Sequence, residues 1–322
     1  MRDTLDSMPD SPEVTVVIPT RDRRSLLLRT LRSALAQEGV TLEIVVVDDG
    51  SADDTPGAVE ALGDERIHLV RHERPHGVAG ARNAGIAAAS GEWVAFLDDD
   101  DLWAPHKLRT QLAVAAERRA DFTYTGAVFV TADLEPLLER EAPAVAQLRE
   151  RIPLANPVAA GGSSVVVRAE LARALGGFDE QFEQLSDWDM WWRLAEAGTP
   201  APCPETLVAY VYHSGSMLLS DPRGVVRERE YLDAKHGLGP EQLRDPERVW
   251  FWRWAAEGAA RAGRRRQAAL LFMRGGIAHR SGLDLRLAAA TLLRGAPERS
   301  GDSGRSKPAT PDWLAPYKGE PA

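Results

Sequence analysis

Four consecutive aspartates, Asp98 to Asp101, follow directly on the apolar run Trp93-Val94-Ala95-Phe96-Leu97. Carboxylates this close repel one another, and a strand end is capped at less cost by Gly or Asn, so the placement asks for a ligand that rewards it. Hard divalent cations such as Mg²⁺ and Mn²⁺ take oxygen ligands and commonly share their shell with substrate phosphates. The chemistry suggested is a metal held by one or two of these carboxylates and bridging to a diphosphate; the plain alternative is a solvated acidic turn. A second acidic pair, Asp48-Asp49, also ends an apolar run, Ile44-Val45-Val46-Val47, and continues into Gly50-Ser51. If both acidic groups lie on one sheet edge, the metal reading gains over the turn.

The surrounding pattern supplies such an edge. Val14-Thr15-Val16-Val17-Ile18 is a continuous, mostly β-branched run stopped by Pro19, as in a strand buried on both faces of a parallel sheet. Leu27, Leu31, Ala34 and Leu35 recur at helical spacing in residues 25–37. Residues 43–47, 67–70 and 92–97 read as further strands, separated by helices at 55–62 and 80–89, with another helix from residue 105 to about 119 and a strand at 122–130. This alternation implies βαβ units: an α/β, Rossmann-like, mostly parallel sheet, doubly wound. Ligands of such sheets bind outside the carboxyl ends of the strands, which gathers residues 19–24, 48–51 and 98–101 into one cluster. Downstream, 135–156 is charged and variable, 161–167 opens a strand, 170–175 is a short helix, and 187–197 is a helix containing Trp188, Trp191 and Trp192. From about residue 246 to 293 the pattern is all helical. The expected division is an N-terminal tail (1–12), an α/β domain (13–222), a helical C-terminal region (223–299) and a disordered, proline-containing tail (300–322).

At this point the ordered motifs matter together. Val14-Thr15-Val16-Val17-Ile18-Pro19-Thr20, Val47-Asp48-Asp49-Gly50-Ser51, Ala81-Arg82-Asn83-Ala84-Gly85 and Phe96-Leu97-Asp98-Asp99-Asp100-Asp101-Leu102-Trp103-Ala104-Pro105-His106-Lys107-Leu108, followed by Gly176-Gly177-Phe178-Asp179-Glu180 and Asp187-Trp188-Asp189, stand in sequence. From residue 13 to about 220 the chain resembles the family 2 inverting glycosyltransferases of the GT-A fold. The resemblance implies a nucleotide pocket at Pro19, Thr20 and Arg21, with Thr20 and Asp49 at the nucleoside and Asp49 accepting from the N3–H of a pyrimidine; Asp48 could instead bond local amides. Arg82 matches a position near the nucleotide, or forms a salt bridge to the acids. Asp98 and Asp100 resemble the Asp-x-Asp pair, Asp98 facing the ribose or sugar and Asp100 ligating Mn²⁺ or Mg²⁺, although four aspartates leave Asp98 and Asp99 as competing candidates for the first role. Asp187 falls on the general-base position, with Ser186 where the family usually has glutamate. A carboxylate in a first helical turn is also a cap, which is the competing role for Asp187. The resemblance places His213 as a second metal ligand, or at the diphosphate, and residues 161–164 at the acceptor cleft; a tight glycine turn is the alternative there.

Composition sets outer limits. The 322 residues carry 39 Lys and Arg against 48 Asp and Glu, a net −9, which argues against non-specific nucleic-acid binding. Cys203 is the one cysteine, so a disulfide framework or multi-cysteine metal site is excluded. The trio His68, His72 and His76 is spaced for a helix but lies on a strand and loop, where it does not converge on zinc. Residues 1–12 have no apolar run, and no stretch reaches the roughly 18 apolar residues of a membrane span, so the expected compartment is cytoplasmic. Residues 1–240 hold 24 basic and 39 acidic side chains, whereas 241–299 hold 12 and 6. The basic part, with Trp250, Trp252, Trp254 and Arg264-Arg265-Arg266, is expected to pack on its own enzyme; contact with the inner face of a membrane is the second option. The combined expectation is a metal-dependent inverting transferase using a nucleoside-diphosphate sugar, UDP or dTDP, and a saccharide, lipid-linked, peptide or small-metabolite acceptor. A nucleotidyltransferase, or a non-catalytic nucleotide-sugar-binding protein, is the rival.

Overall fold

The computed structural model describes residues 11–213, 224–261, 263–294 and 308–319. The chain runs β1 (Val14–Thr20), α1 (Arg24–Leu35), β2 (Leu42–Asp48), α2 (Thr55–Glu60), β3 (Ile67–Arg71), α3 (Gly77–Ala88), β4 (Trp93–Phe96), β5 (Leu102–Trp103), α4 (Lys107–Arg118) and β6 (Phe122–Thr131). It continues through β7 (Pro136–Arg140), α5 (Val145–Arg151), a 3₁₀ turn (Gly161–Ser164), β8 (Val165–Arg168), α6 (Ala169–Ala174), α7 (Ser186–Ala197) and β9 (Pro200–Tyr212). The helical part comprises α8 (Gly224–Lys235), α9 (Pro240–Leu243), α10 (Val249–Arg261), α11 (Arg265–Ala278) and α12 (Gly282–Arg294).

All nine strands form one sheet in the order β3-β2-β1-β4-β8-β6-β9-β5, with β7 on β6. The half from β3 to β4 is parallel, as the continuous apolar runs predict. Beyond β4 the expectation of a mostly parallel sheet gives way to a mixed one: β8 is antiparallel to both β4 and β6, and only β6 with β9 is parallel there. The glycines of 161–164 make a turn, so the strand expected from residue 161 starts at Val165. The charged stretch 135–156, which shows no clear period, contains β7 and α5. Alternate residues of β1 enter two apolar layers: Val14, Val16 and Ile18 meet Leu27 and Leu31 of α1 and Leu108 of α4, while Val17 meets α3. A methyl group on Gly85 would collide with Val17, which explains a glycine at that site of α3.

The helical region shares the second of these layers. Val225 and Leu232 of α8, Phe251, Ala255 and Ala256 of α10, and Phe272 of α11 are buried in the same cluster as Phe96, Trp188 and Trp191. Trp252 and Trp254 are partly buried against it, whereas Trp250 and Arg264 to Arg266 remain exposed. Within the expected disordered tail, residues 312–317 instead form a 3₁₀ turn. Leu314 and Tyr317 bury themselves against Leu102, Val130 and Val211, and this apolar contact overrides the polar, proline-containing composition.

An ion network joins α7 to α8. Asp189, fully buried, accepts from Arg193 Nε at 2.8 Å and His236 Nε2 at 3.1 Å, with Lys235 Nζ at 2.9 Å; His236 stacks on Trp192. Burial alone would raise its pKa, but His236, Arg193 and Lys235 together hold it at about 2. A carboxylate depressed in the folded state stabilises above its unfolded pKa and loses that contribution as pH falls toward the folded value. Asp189→Ala is therefore expected to lower stability at pH 7 by about 2–3 kcal/mol, since it removes the buried charged acceptor that Arg193, Lys235 and His236 share. The deficit should shrink between pH 4 and pH 2 in denaturant titrations; an unchanged midpoint at pH 7 would contradict the assignment.

Candidate functional site

The carboxyl ends of β1, β2 and β4 meet where the parallel half predicts. After β4, the four aspartates form a turn closed by the Asp101 amide donating to the Asp98 carbonyl at 3.2 Å. Asp99 and Asp101 turn inward and are buried, while Asp98 and Asp100 face the cleft and are partly exposed. Asp101 Oδ2 accepts from Ser163 Oγ at 2.5 Å and Oδ1 from the Val211 amide at 3.1 Å. Ser163 in turn accepts from the Asp98 amide, and its carbonyl holds the Trp103 indole. Burial first, and Asp100 and Asp98 second, push the Asp101 pKa well up. Asp99 accepts from Thr20 Oγ1 at 2.7 Å and Arg23 Nη1 at 2.8 Å, and burial with Asp100 raises its pKa despite these donors. Of the four, Asp98 and Asp100 are the partly exposed pair.

Arg23 also reaches Asp100 Oδ2 at 3.0 Å, and His213 Nε2 lies 2.7 Å from the same oxygen. Arg21, expected at the nucleotide, is exposed and meets Asp22 at 3.6 Å. Pro19 is buried in β1 opposite Val47. Thus Arg23, three residues beyond β1 and unmarked by any period, joins the acids. Asp100 and His213 offer a carboxylate oxygen and an imidazole nitrogen in direct contact, a donor pair whose chemistry is compatible with Mg²⁺ or Mn²⁺ when phosphates complete the shell. No group of three His, Cys, Asp or Glu suited to a metal occurs among the described residues, so the described protein part offers two ligands.

Asp49 is buried and tied into the start of α3. Its Oδ1 accepts from the His76 amide at 2.8 Å and lies 2.7 Å from His72 Nδ1, and its Oδ2 accepts from the Gly77 amide at 2.8 Å. One lone pair on Oδ2 is left by these contacts. Asp48 accepts from the Ser51 amide at 3.0 Å and lies 3.3 Å from Arg71 Nε, the local bonding offered as its alternative. His68, by contrast, lies 3.7 Å from Glu43, away from the other two histidines' partners.

Arg82 Nη2 meets Asp98 Oδ1 at 2.5 Å, and its guanidinium lies over Phe178 at 5.2 Å. Asn83 fixes that ring by a pair of hydrogen bonds to the Phe178 backbone, donating to its carbonyl at 2.9 Å and accepting from its amide at 2.7 Å. Two motifs nearly a hundred residues apart thus form one support. Gly161, at φ +49°, lies between Asp98 and Asp187: a methyl group there would sit 3.2 Å from Asp187 Oδ2 and 3.8 Å from Asp98 Oδ2. Asp187 is half-buried at the first turn of α7. Its Oδ1 accepts from the Trp188 amide at 2.7 Å, so it makes a helix-terminal bond as well as facing Gly161. Its Oδ2 accepts from Asn156 Nδ2 at 3.0 Å, a partner in the irregular stretch that has no sequence signal. Desolvation raises the Asp187 pKa to about 6, with Arg82 opposing the rise and Asp98 adding to it.

With this geometry in place, comparisons identify the class. Residues 15–157 match the family model described as Glycosyl transferase family 2. The chain is 49% identical over 108 residues to the succinoglycan biosynthesis protein ExoO of Rhizobium meliloti (strain 1021), covering 34% of this chain and 30% of that protein. It is 35% identical over 111 residues to the UDP-Glc:alpha-D-GlcNAc-diphosphoundecaprenol beta-1,3-glucosyltransferase WfgD of Escherichia coli, covering 34% and 44%. The chain spans about half or less of the length of these curated relatives. In fold, it is similar to S. aureus TarS 1–349 in complex with UDP-GlcNAc, with 16% identity, a TM-score of 0.55 and coverage of 89% of this chain and 93% of that one. The helical region is therefore part of a shared architecture.

The buried and cleft-facing aspartates should separate in stability. Asp101→Ala orphans the Ser163 hydroxyl and Val211 amide and is expected to cost about 2–4 kcal/mol. Asp100→Ala removes a like charge from the cluster and should hold or raise the melting temperature. Calorimetry of both variants checks this; equal losses would contradict the alternation.

Proposed function

We propose that the protein is a metal-dependent inverting glycosyltransferase that moves a sugar from a nucleoside-diphosphate sugar to an acceptor hydroxyl. The observation that carries this reading is the convergence of Asp187 and Asp98 on the side-chain-free space at Gly161, with Asp100 and His213 nearby in sequence or contact with the same acidic loop. Asp187, with its pKa near 6, removes the acceptor proton as the oxygen attacks the anomeric carbon and the nucleoside diphosphate departs. The Arg82–Asp98 pair orients the sugar, and Thr20 with Asp49 holds the nucleoside. The remaining Asp49 lone pair suits a pyrimidine N3–H, which favours UDP or dTDP. Mn²⁺ or Mg²⁺, held by Asp100 and His213, supplies neutralisation of the leaving diphosphate when bound. TarS was solved with UDP-GlcNAc, which supports a nucleotide-sugar donor, and the diphosphoundecaprenol-linked substrate of WfgD supports a lipid-linked acceptor in cell-envelope assembly.

A lipid-linked acceptor agrees with one surface. Leu270, Met273 and Ile277 lie on one exposed face of α11, and Leu285 and Leu292 are exposed on α12. Arg266, Arg274, Arg280 and Arg286 are exposed around them, whereas Asp284, the acid of α12, is buried against Arg253. Exposed aliphatic side chains among arginines suit an anionic bilayer, and no described helix is long and apolar enough to cross one. We therefore place residues 241–299 at the inner face of a membrane as a peripheral contact, in a cytoplasmic protein.

The activity reading is tested with UDP- and dTDP-sugars by following release of the nucleoside diphosphate. Release should stop with EDTA and return with Mn²⁺ or Mg²⁺, and the wild-type rate should rise with pH through about 6 because the base acts deprotonated. Asp187→Asn should retain UDP binding and lose on the order of 10² or more in rate. Folding also predicts that this variant melts no lower at pH 8, since ionising a group whose pKa is raised costs stability as pH exceeds that value. Near-normal turnover, or loss of UDP binding together with stability, would overturn the base assignment; full activity in chelator would overturn the metal.

The surface reading has its own measurement. Vesicles containing anionic phospholipid should bind the protein at low salt and release it at high salt, since exposed charges are screened within about 10 Å at 0.1 M. Ile277→Asp or replacement of Arg264, Arg265 and Arg266 by Gln should weaken binding. Binding that ignores both salt and substitution, or no binding at any salt, contradicts the contact.

A further inference from the structure

The helical region reaches the proposed base through a loop. Arg229 of α8 is 3% exposed, yet all three of its guanidinium nitrogens are used. Its Nη1 donates to the Leu154 carbonyl at 3.0 Å, its Nη2 to the Pro153 carbonyl at 2.7 Å and its Nε to Asp233 Oδ1 at 2.8 Å. The guanidinium plane lies over the Trp188 ring at 4.4 Å. Arg248, held by Asp233, donates to the same Pro153 carbonyl at 3.1 Å, and the Trp188 indole donates to the Ile152 carbonyl at 2.7 Å. Three successive carbonyls, 152 to 154, are thus fixed by side chains from α7 and α8 and by Arg248, just before α10.

Two residues further on stands Asn156. Its Oδ1 accepts from the Val158 amide at 3.1 Å, which sets the amide's orientation, and its Nδ2 donates at 3.0 Å to Asp187 Oδ2, the oxygen that faces Gly161. We propose that Arg229 is a positioning residue for Asp187: by holding residues 152–154 and stacking on Trp188, it sets the Asn156 hydrogen bond and so the aim of the carboxylate oxygen that faces the cleft. This rests on the reading of Asp187 as the base. The two ends of the arrangement have a physical rationale. Arg229 binds planar carbonyl pairs through a rigid fork that lysine cannot reproduce, and a donor on an ionised carboxylate favours the ionised form. The charged groups facing Asp187 are Arg82 and Asp98, and those around Arg229 are Asp233, Arg248 and, more distantly, His279.

The test titrates the Asp187 carboxyl directly by ¹³C NMR of the full chain, in wild type, Asn156→Ala, Arg229→Lys and the double variant, alongside melting curves and UDP binding. Asn156→Ala should shift the Asp187 midpoint up by about one pH unit, since one charge-assisted hydrogen bond is lost. Arg229→Lys, which keeps the charge and loses the fork, should shift it the same way, and the double variant should shift no further than Asn156→Ala alone. UDP binding should be unchanged in all three. A lowered melting temperature for Arg229→Lys with a wild-type Asp187 titration, or additive shifts in the double variant, would overturn the positioning role. Asn156→Ala leaves the Arg229 cluster intact, so the Asn156 link stays measurable even where Arg229→Lys folds poorly. The titration needs no turnover: if Asp187 is not the base, Asp187→Asn keeps its rate while the Arg229 coupling is still read by NMR.

Discussion

The buried carboxylate of Asp101 ties together three elements that sequence order keeps far apart. It receives the Ser163 hydroxyl from the glycine turn and the Val211 amide from β9, while Ser163 also receives the Asp98 amide and Thr30 of α1 donates to the Asp101 carbonyl at 2.9 Å. Because a buried donor without an acceptor is costly, these contacts lock the loop after β4 in one register. In the turn so fixed, Asp99 is buried on Thr20 and Arg23, while Asp98 and Asp100 stay partly exposed. His213, two residues past Val211, then meets Asp100.

The same loop concentrates negative charge, and the protein balances it with arginines on separate elements. Arg23 spans Asp99 and Asp100 from the end of the β1 loop, and Arg82 holds Asp98 from α3. Arg82 is itself placed by the Asn83 clamp on Phe178, so its charge is delivered by packing between two loops rather than by its neighbours in sequence. Asp187 sits at the margin of this field, desolvated enough to be basic and close enough to Arg82 to ionise. Asp189, one turn-step away on the same helix, points into cations and is held acidic. Two aspartates in one motif therefore have opposite proton affinities because a helix sends adjacent-but-one residues to different surroundings.

The helical region and the segment at 312–317 belong to the same folded unit as the sheet. Phe251, Ala256 and Phe272 continue the layer under α7, and Leu314 with Tyr317 covers Leu102 and Val211, next to the acidic loop. Composition separates these parts by charge, but apolar burial joins them. The lateral consequence is that residues remote in sequence, Arg229 and Leu314 among them, bear on backbone that carries site residues.

Much of this was readable before any coordinates. Continuous runs such as Val14 to Ile18 and Ile44 to Val47 determined buried parallel strands, and the rule that ligands sit at strand carboxyl ends then gathered Thr20, Asp49 and Asp98. The ordered motifs carried the resemblance that the family-model match over residues 15–157 supports. What only the tertiary structure decided depended on contacts between distant segments. These include the burial of Asp99 and Asp101 beside the partial exposure of Asp98 and Asp100, the contacts of Arg23 with Asp99 and Asp100, the partnership of Asn156 with Asp187, and the burial of Leu314 within an apparently polar tail. Local periodicity reports which face of an element is apolar; it carries no information about which side chain across the fold will complete a hydrogen bond or cover an apolar face, because that is set by packing geometry after the chain has closed on itself.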